Sequence, residues 1–149
     1  MLPQVQVLLC ILSVLLSPGI HAPGSWQGTA SGGGATFDAR PIVPVRTVMM
    51  EVTAYSPDAR SCGAFADGVT ASGYSVETNA GRLVAADTSV LPFGSLVSVP
   101  GYHSGQVVPV LDRGGAIKGD RLDLLMPTHE QAMQWGRKRV AVTIWAYAD

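Results

Sequence analysis

The sequence predicts an all-β domain of the small-barrel class. Short segments rich in β-branched and aromatic residues recur after residue 45, and glycine and proline separate them. Only one segment carries helix signals at both ends. Many short strands with Gly/Pro turns and a single short helix are typical of small barrels. The chain can also bury a core, because 47% of its residues are hydrophobic and only 14% are charged.

The N-terminal residues differ from the rest. Residues 5–16 are almost all apolar and are followed by Pro18, Gly19 and Ala22. This pattern predicts a signal peptide over residues 1–22, and the apolar run is shorter than the about 20 residues that a membrane span needs. A buried N-terminal strand or helix is the alternative. We therefore expect a secreted or cell-envelope protein that touches the membrane only through this segment.

Residues 23–45 have the Gly/Ser/Pro-rich composition of a flexible linker. The folded domain is then expected at residues 46–149. A helix is predicted over residues 128–135, because Thr128 and Gln131 form a capping box and Gly136 suits the C-terminal cap. The predicted strands, each bounded by turn residues, are 46–55, 82–87, 95–99, 106–112, 121–126 and 138–147.

Charge and motifs exclude several functions. The formal net charge is −1, so bulk charge gives no reason to expect nucleic acid, whereas a mostly uncharged polysaccharide fits. Nucleotide-binding and metal motifs are lacking, and the histidines and cysteines are scattered, so no cofactor and no metal are expected. Once the signal peptide is removed, Cys62 is a lone cysteine outside any recognisable cysteine-hydrolase context.

Three aspartates are candidate catalytic residues. Asp87 and Asp112 each follow an apolar strand, and Asp123 lies inside one. Burying an unpaired carboxylate is expensive, so such placements are rarely incidental. Grouped carboxylates cannot all ionise, which raises one pKa, and a carboxyl still protonated near neutral pH can donate to a glycosidic oxygen.

The period-two alternation of a strand orients Asp123. Leu122, Leu124 and Met126 are expected to face the core, which leaves Asp123 facing a cleft or solvent. The alternative is that the aspartates cap turns or pair with nearby cations, namely Arg113, Lys118 and Arg121.

Residues 112–123 are the predicted wall of the site. Gly114 and Gly115 would let a bulky sugar approach the backbone closely. Lys118 could lower the pKa of a neighbouring carboxylate or hold a lactyl or acetamido group; the alternative is a solvated loop lysine.

These motifs together resemble the 3D (three-aspartate) domain. The resemblance covers roughly residues 52–144, and it is carried by VAAD (84–87), LPFG (91–94), VLDRGGAIKG (110–119), RLD (121–123), PT (127–128) and QWGR (134–137), with TAY (53–55) and TASG (70–73) upstream. The family is similar to the catalytic domain of the membrane-bound lytic transglycosylase A group and to cell-wall proteins of spore-formers.

The resemblance implies a six-stranded double-psi β-barrel with one or two short helices. It also implies a lytic transglycosylase that acts on peptidoglycan glycan strands and leaves a 1,6-anhydro-muramyl end. Asp123 matches the aspartate that serves as acid and then base, whereas Asp87 and Asp112 would shape the electrostatics and bind sugar. Arg113 stands where the family often has threonine. The predicted substrate-binding residues are Tyr55, Thr70, Arg113, Gly114, Gly115 and Lys118.

Two other functions fit the same pattern. A non-catalytic, expansin-like glycan-binding barrel would use exposed aromatic faces, which Tyr55, Tyr74, Tyr102 and Trp135 could supply. Core packing is the competing explanation for these aromatics, most of all for Trp135. The third reading is a hydrolase that uses water, which would leave a free reducing end.

Overall fold

The computed structural model describes residues 34–149. The predicted signal peptide and the first part of the predicted linker lie outside them. The strands are β1 (Thr36–Phe37), β2 (Arg40–Tyr55), β3 (Val84–Ala86), β4 (Leu96–Ser98), β5 (Val107–Asp112), β6 (Arg121–Leu125) and β7 (Lys138–Tyr147). The α-helices are α1 (Ala59–Cys62) and α2 (His129–Trp135), and three short 3-10 turns span Gly63–Phe65, Thr78–Gly81 and His103–Gly105.

Six of the strands close into a barrel. The order is β2-β6-β3-β5-β4-β7, and β7 pairs with β2 to complete the ring. β2 pairs with β6, and β3 with β5, in parallel, whereas the other pairs around the ring are antiparallel. Closure leaves no free edge on these strands. The prediction of an all-β, six-stranded barrel with two short helices is confirmed.

The first barrel strand begins earlier than expected. Residues 40–45 were predicted as linker, but they belong to β2, where Ile42 pairs with Tyr147 of β7 and is buried. Pro41 and Pro44 obscured this in the sequence, because proline is depleted in strands. The pairing register shifts between Pro44 and Arg46, which is the kind of irregularity that accommodates proline.

The core is apolar and fills the barrel. Leu122 and Leu124 of β6 are fully buried, and Met126 packs against the same cluster, as the alternation predicted. A second, smaller cluster of Leu83, Leu111 and Leu125 packs against Tyr55 and Val76. Those two partly buried side chains also line the cleft described below, so the small cluster supports the floor of the site.

Two of the four aromatic residues considered as sugar platforms, Tyr102 and Trp135, are part of the core. Tyr102 is 2% exposed and its hydroxyl donates to the carbonyls of Leu83 (3.0 Å) and Leu125 (2.8 Å). Trp135 is 9% exposed and its Nε1 donates to the carbonyl of Val52 at 3.2 Å. Core packing, the competing explanation for these aromatics and the one favoured for Trp135, therefore holds for both residues, and backbone carbonyls satisfy their polar atoms inside the barrel.

Candidate functional site

The site is built on one row of residues that crosses four adjacent strands. Thr53 of β2 pairs with Asp123 of β6, which pairs with Ala85 of β3, which pairs with Asp112 of β5. Adjacent strands lie about 4.8 Å apart, so the two aspartate backbones stand about 10 Å from each other. Ala85, the residue between them in this row, has only a methyl side chain, which leaves space above the sheet.

A cleft of about 800 Å³ opens over this row. Its floor includes Tyr55, Ala85 and Asp123, and its two walls are formed by residues 57–71 and 113–118. Eight of the nine sequence-predicted site residues line it: Tyr55, Thr70, Asp112, Arg113, Gly114, Gly115, Lys118 and Asp123. Asp87 is the exception, although its neighbours Ala86 and Thr88 line the cleft.

Asp123 has the environment of a general acid. Its side chain is half-buried, and burial raises its pKa to about 6, with a further contribution from the nearby charge of Asp112. Two groups oppose this rise in pKa. Oγ1 of Thr53 donates to Oδ1 of Asp123 at 2.8 Å, and the positive charge of Arg121 favours the ionised carboxylate. A carboxyl with such a pKa is partly protonated near neutral pH and can both give and take a proton.

Asp112 is held by three donors from different parts of the site. Its Oδ1 accepts from the amides of Ala71 (2.9 Å) and Arg113 (2.8 Å), and its Oδ2 accepts from the hydroxyl of Tyr55 (2.8 Å). Burial raises the pKa of Tyr55, helped by the charge of Asp112, so the phenol stays protonated and donates. Asp112 therefore joins the floor and both walls of the cleft.

Asp87 fixes the 113–120 loop from outside the cleft. Its Oδ2 accepts from the amide of Gly119 at 2.8 Å, and its Oδ1 accepts from the amide (3.0 Å) and hydroxyl (2.7 Å) of Ser89. These bonds, led by that of Gly119, lower the pKa of Asp87 to about 2, and the charge of Lys118 adds to the effect. Asp87 thus positions the 113–120 loop through Gly119. Its bonds to Ser89 also cap a turn, which was the alternative considered for the aspartates.

Within residues 34–149, the cations near Asp87, Asp112 and Asp123 form no salt bridge with these aspartates. Arg121 pairs with Glu51 at 3.0 Å rather than with an aspartate. Within residues 34–149, Arg113 and Lys118 form no salt bridge, and both side chains are exposed on the cleft wall. That wall therefore presents two cations to whatever the cleft binds.

The glycines of this wall have different structural roles. A Cβ on Gly114 would lie 2.9 Å from Cγ1 of Ile117, whose side chain is buried. Glycine is therefore required at 114 for the loop to pack. Gly115 has open space around its Cα, so it leaves the wall open to a ligand.

The 57–71 wall contains Thr70, a predicted substrate-binding residue, and the lone Cys62. Thr70 is 4% exposed, and its hydroxyl is bonded within the 70–74 turn, so it shapes the wall rather than offering a free donor. Cys62 donates its thiol to the carbonyl of Ser56 at 3.3 Å, and burial raises its pKa, which disfavours the thiolate that a nucleophile needs.

Two residues of the site were missed. Thr53 faces the cleft side of β2 together with Tyr55, and strand alternation from Tyr55 could have placed it there. Phe65 lines the cleft although it is 83% exposed, and no local sequence signal indicates that.

Residues 34–149 contain no group of three or more His, Cys, Asp or Glu side chains arranged to hold a metal ion. Among the same residues, no helix is long and apolar enough to cross a membrane.

Comparison with known proteins supports the resemblance. Residues 82–147 match the model of the 3D domain family, which confirms the resemblance over that stretch. The chain is 40% identical over 78 residues to the cell wall-binding protein YocH of Bacillus subtilis, covering 52% of this chain and 26% of that protein. It is 35% identical over 118 residues to the putative cell wall shaping protein YabE of the same organism, covering 78% and 27%. The chain thus spans about a quarter of the length of these relatives.

One similar solved structure is the crystal structure of MltA from E. coli. It is 27% identical, with a TM-score of 0.43, over 54% of this chain and 28% of that one.

Proposed function

We propose that this 3D-domain protein is a lytic transglycosylase of the cell envelope that cleaves the glycan strands of peptidoglycan. The observation that carries the proposal is the half-buried carboxyl of Asp123, whose pKa is raised to about 6 at the floor of the cleft. The 3D domain and the cell-wall names of YocH and YabE support peptidoglycan as the substrate.

The reaction begins with protonation of the leaving group. The strand lies in the cleft with the β-1,4 linkage between N-acetylmuramic acid and N-acetylglucosamine above Asp123. The carboxyl gives its proton to the bridging oxygen, the bond from that oxygen to C1 of the muramyl ring breaks, and positive charge develops at C1. The resulting Asp123 carboxylate and the nearby Asp112 stabilise this charge electrostatically.

The second step closes the ring. The 6-hydroxyl of the same muramyl residue attacks C1, and the Asp123 carboxylate accepts the hydroxyl proton. The product is a 1,6-anhydro-muramyl end, no water is consumed, and Asp123 is again protonated. One residue with a pKa near the working pH can serve both steps, because its acid and base forms are both populated there.

Asp112 favours this pathway over hydrolysis by a pair of carboxylates. A hydrolytic mechanism needs a second carboxylate free to attack C1 or to activate water. Both oxygens of Asp112 already accept hydrogen bonds from Tyr55, Ala71 and Arg113, which fix its orientation. A role in holding the cleft and its charge fits these contacts better than nucleophilic attack.

The 113–118 wall is suited to hold polar groups of the strand. Arg113 and Lys118 can donate to hydroxyl, acetamido or lactyl oxygens, and the open backbone at Gly115 permits close approach. The substrate-binding roles of Tyr55 and Thr70 are indirect in this scheme, since one orients Asp112 and the other shapes the turn.

The test compares the purified protein with Asp123→Asn on insoluble peptidoglycan. We expect the wild type to release soluble fragments and the variant to lose about 10²- to 10⁴-fold in rate, the usual contribution of a general acid. Asp120→Asn is the matched control, because Asp120 is exposed on the same segment. Equal release by wild type and Asp123→Asn would overturn the proposal.

A second candidate function is a non-catalytic cell-wall-binding barrel. It is favoured by the name of YocH, which describes wall binding rather than cleavage. In that case wild type and Asp123→Asn would sediment equally with peptidoglycan, and neither would release fragments.

A further inference from the structure

Phe65 is an exposed aromatic ring at the cleft with no structural explanation in the barrel. It is 83% exposed, the highest value among the large hydrophobic side chains of residues 34–149, and it lines the same cleft as Asp123. An exposed aromatic ring beside a polar cleft is accessible to a ligand bound there, and aromatic rings supply large contact areas at interfaces.

We propose that the ring of Phe65 is a stacking platform for one pyranose ring of the glycan strand. The inference rests on the proposed function for the class of ligand, but not on catalysis.

The segment that carries Phe65 is anchored at its base. Oγ of Ser61 accepts from the amide of Ser56 at 3.1 Å, and the thiol of Cys62 donates to the carbonyl of the same serine. Arg60 bridges Asp58 at 3.0 Å and Glu130 of α2 at 3.2 Å. The platform therefore stands on a fixed support, which keeps the ordering cost of binding low.

Two glycines flank the segment that carries Phe65. Gly63 and Gly68 have φ values of +57° and +77°, in the left-handed region that favours glycine. They bracket the short turn that presents Phe65 to solvent. The chain thus has a glycine with a left-handed backbone on each side of Phe65.

The two walls of the cleft together match the chemistry of a glycan. A pyranose ring has an apolar face of C–H bonds and a polar edge of hydroxyl and acetamido groups. Phe65 offers an aromatic face on one wall, whereas Arg113 and Lys118 offer donors on the other. A sugar ring lying on Phe65 would direct its polar edge into the cleft that holds the two aspartates.

Removing the ring should weaken binding without affecting folding. Phe65→Ala should weaken glycan binding roughly tenfold, the effect of losing part of one buried aromatic contact. The melting temperature should stay unchanged, because an 83% exposed side chain makes few contacts to lose.

The experiment measures binding in the Asp123→Asn protein, so that turnover does not interfere. The ligands are a soluble β-1,4-linked oligomer of N-acetylglucosamine, titrated calorimetrically, and insoluble peptidoglycan, followed by sedimentation. Phe65→Ala and Phe65→Leu should both weaken binding, whereas Phe65→Trp should retain it. Phe93→Ala is the matched control, because Phe93 is 40% exposed but does not line the cleft.

Each outcome has one meaning. Unchanged affinity in Phe65→Ala, or equal loss in Phe93→Ala, overturns the stacking role and leaves the assignment of Asp123 untouched. Full affinity in Phe65→Leu overturns an aromatic role, since leucine keeps only the apolar surface. Failure of every variant to bind either ligand overturns this inference together with a glycan substrate. Binding that depends on Phe65, without any cleavage by the wild type, keeps the platform and removes only the catalytic proposal.

Discussion

The hydrogen bond between Thr53 and Asp123 allows a quantitative test of the pKa of Asp123. Oγ1 of Thr53 donates to Oδ1 of Asp123 at 2.8 Å and favours the ionised carboxylate. Thr53→Val keeps the shape of the side chain and removes the donor. The pKa of Asp123 should therefore rise above its present value of about 6.

The size of the rise follows from the bond. A hydrogen bond to a charged group contributes about 1.5–3 kcal/mol, and one pKa unit corresponds to about 1.4 kcal/mol. Because Asp123 is only half-buried, water replaces part of the lost bond, and we expect a rise of about one unit. Near pH 7 the protonated fraction would then grow from about a tenth to about a half.

The assay is the pH dependence of fragment release from peptidoglycan. The alkaline limb of the profile, where the acid is lost, should move up by about one pH unit in Thr53→Val. The height of the profile can fall, because the donor also orients Asp123, so the midpoint of the limb is the diagnostic quantity. Thr47→Val on the same strand is the control, since Thr47 lies six residues from Thr53 and its hydroxyl shares a hydrogen bond with the hydroxyl of Thr143 at 3.3 Å. A limb that stays in place or moves down would refute the electrostatic assignment, as would an equal shift in Thr47→Val.

Two further predictions concern the 113–120 loop. Because the pKa of Asp87 is lowered in the folded state, its bond to Gly119 stabilises the fold above about pH 4, and this stabilisation is lost as the pH falls toward about 2. The difference in free energy of unfolding between wild type and Asp87→Asn, measured with urea, should therefore disappear over that pH range. A gap that is constant with pH would contradict this role. Gly114→Ala should lower the stability by about 1–3 kcal/mol in thermal unfolding, because its Cβ would meet Ile117 at 2.9 Å, whereas Gly115→Ala meets open space and should cost less than half as much. Equal effects at the two positions would show that the loop relaxes freely.

The sequence was most informative where local chemistry decides the structure. Thr128 accepts from the amide of Gln131 at 3.2 Å and caps α2 as its capping-box position predicted. Strand alternation placed Leu122 and Leu124 in the core and left Asp123 for the cleft, because a strand directs successive side chains to opposite faces.

The features that the sequence did not predict depend on contacts between residues far apart in the chain. The bond from Asp87 to Gly119 joins positions 32 residues apart, and only the closed barrel brings them together. Tyr102 can be buried because its hydroxyl donates hydrogen bonds to the carbonyls of Leu83 and Leu125. No local sequence pattern predicts these contacts. The exposure of Phe65 is equally non-local, since it depends on which surfaces the barrel leaves uncovered.

The main cause of the raised pKa of Asp123 was likewise not predictable from the sequence. Grouped aspartates in the sequence indicated that one carboxyl would be raised, and repulsion between charges was the expected cause. In the structure the largest cause is burial, and the charge of Asp112 is a lesser one. Burial of a strand residue depends on the loops that fold over it, here residues 57–71 and 113–118.

The mass of the muropeptides released from peptidoglycan tests the central claim most directly. We expect the wild type and Asp120→Asn to release fragments with a 1,6-anhydro-muramyl end, lighter by one water than hydrolysed fragments. Asp123→Asn should release them about 10²- to 10⁴-fold more slowly. Fragments with a free reducing end, or anhydro fragments from Asp123→Asn at the wild-type rate, would contradict the assignment of Asp123 as the acid and base of a lytic transglycosylase.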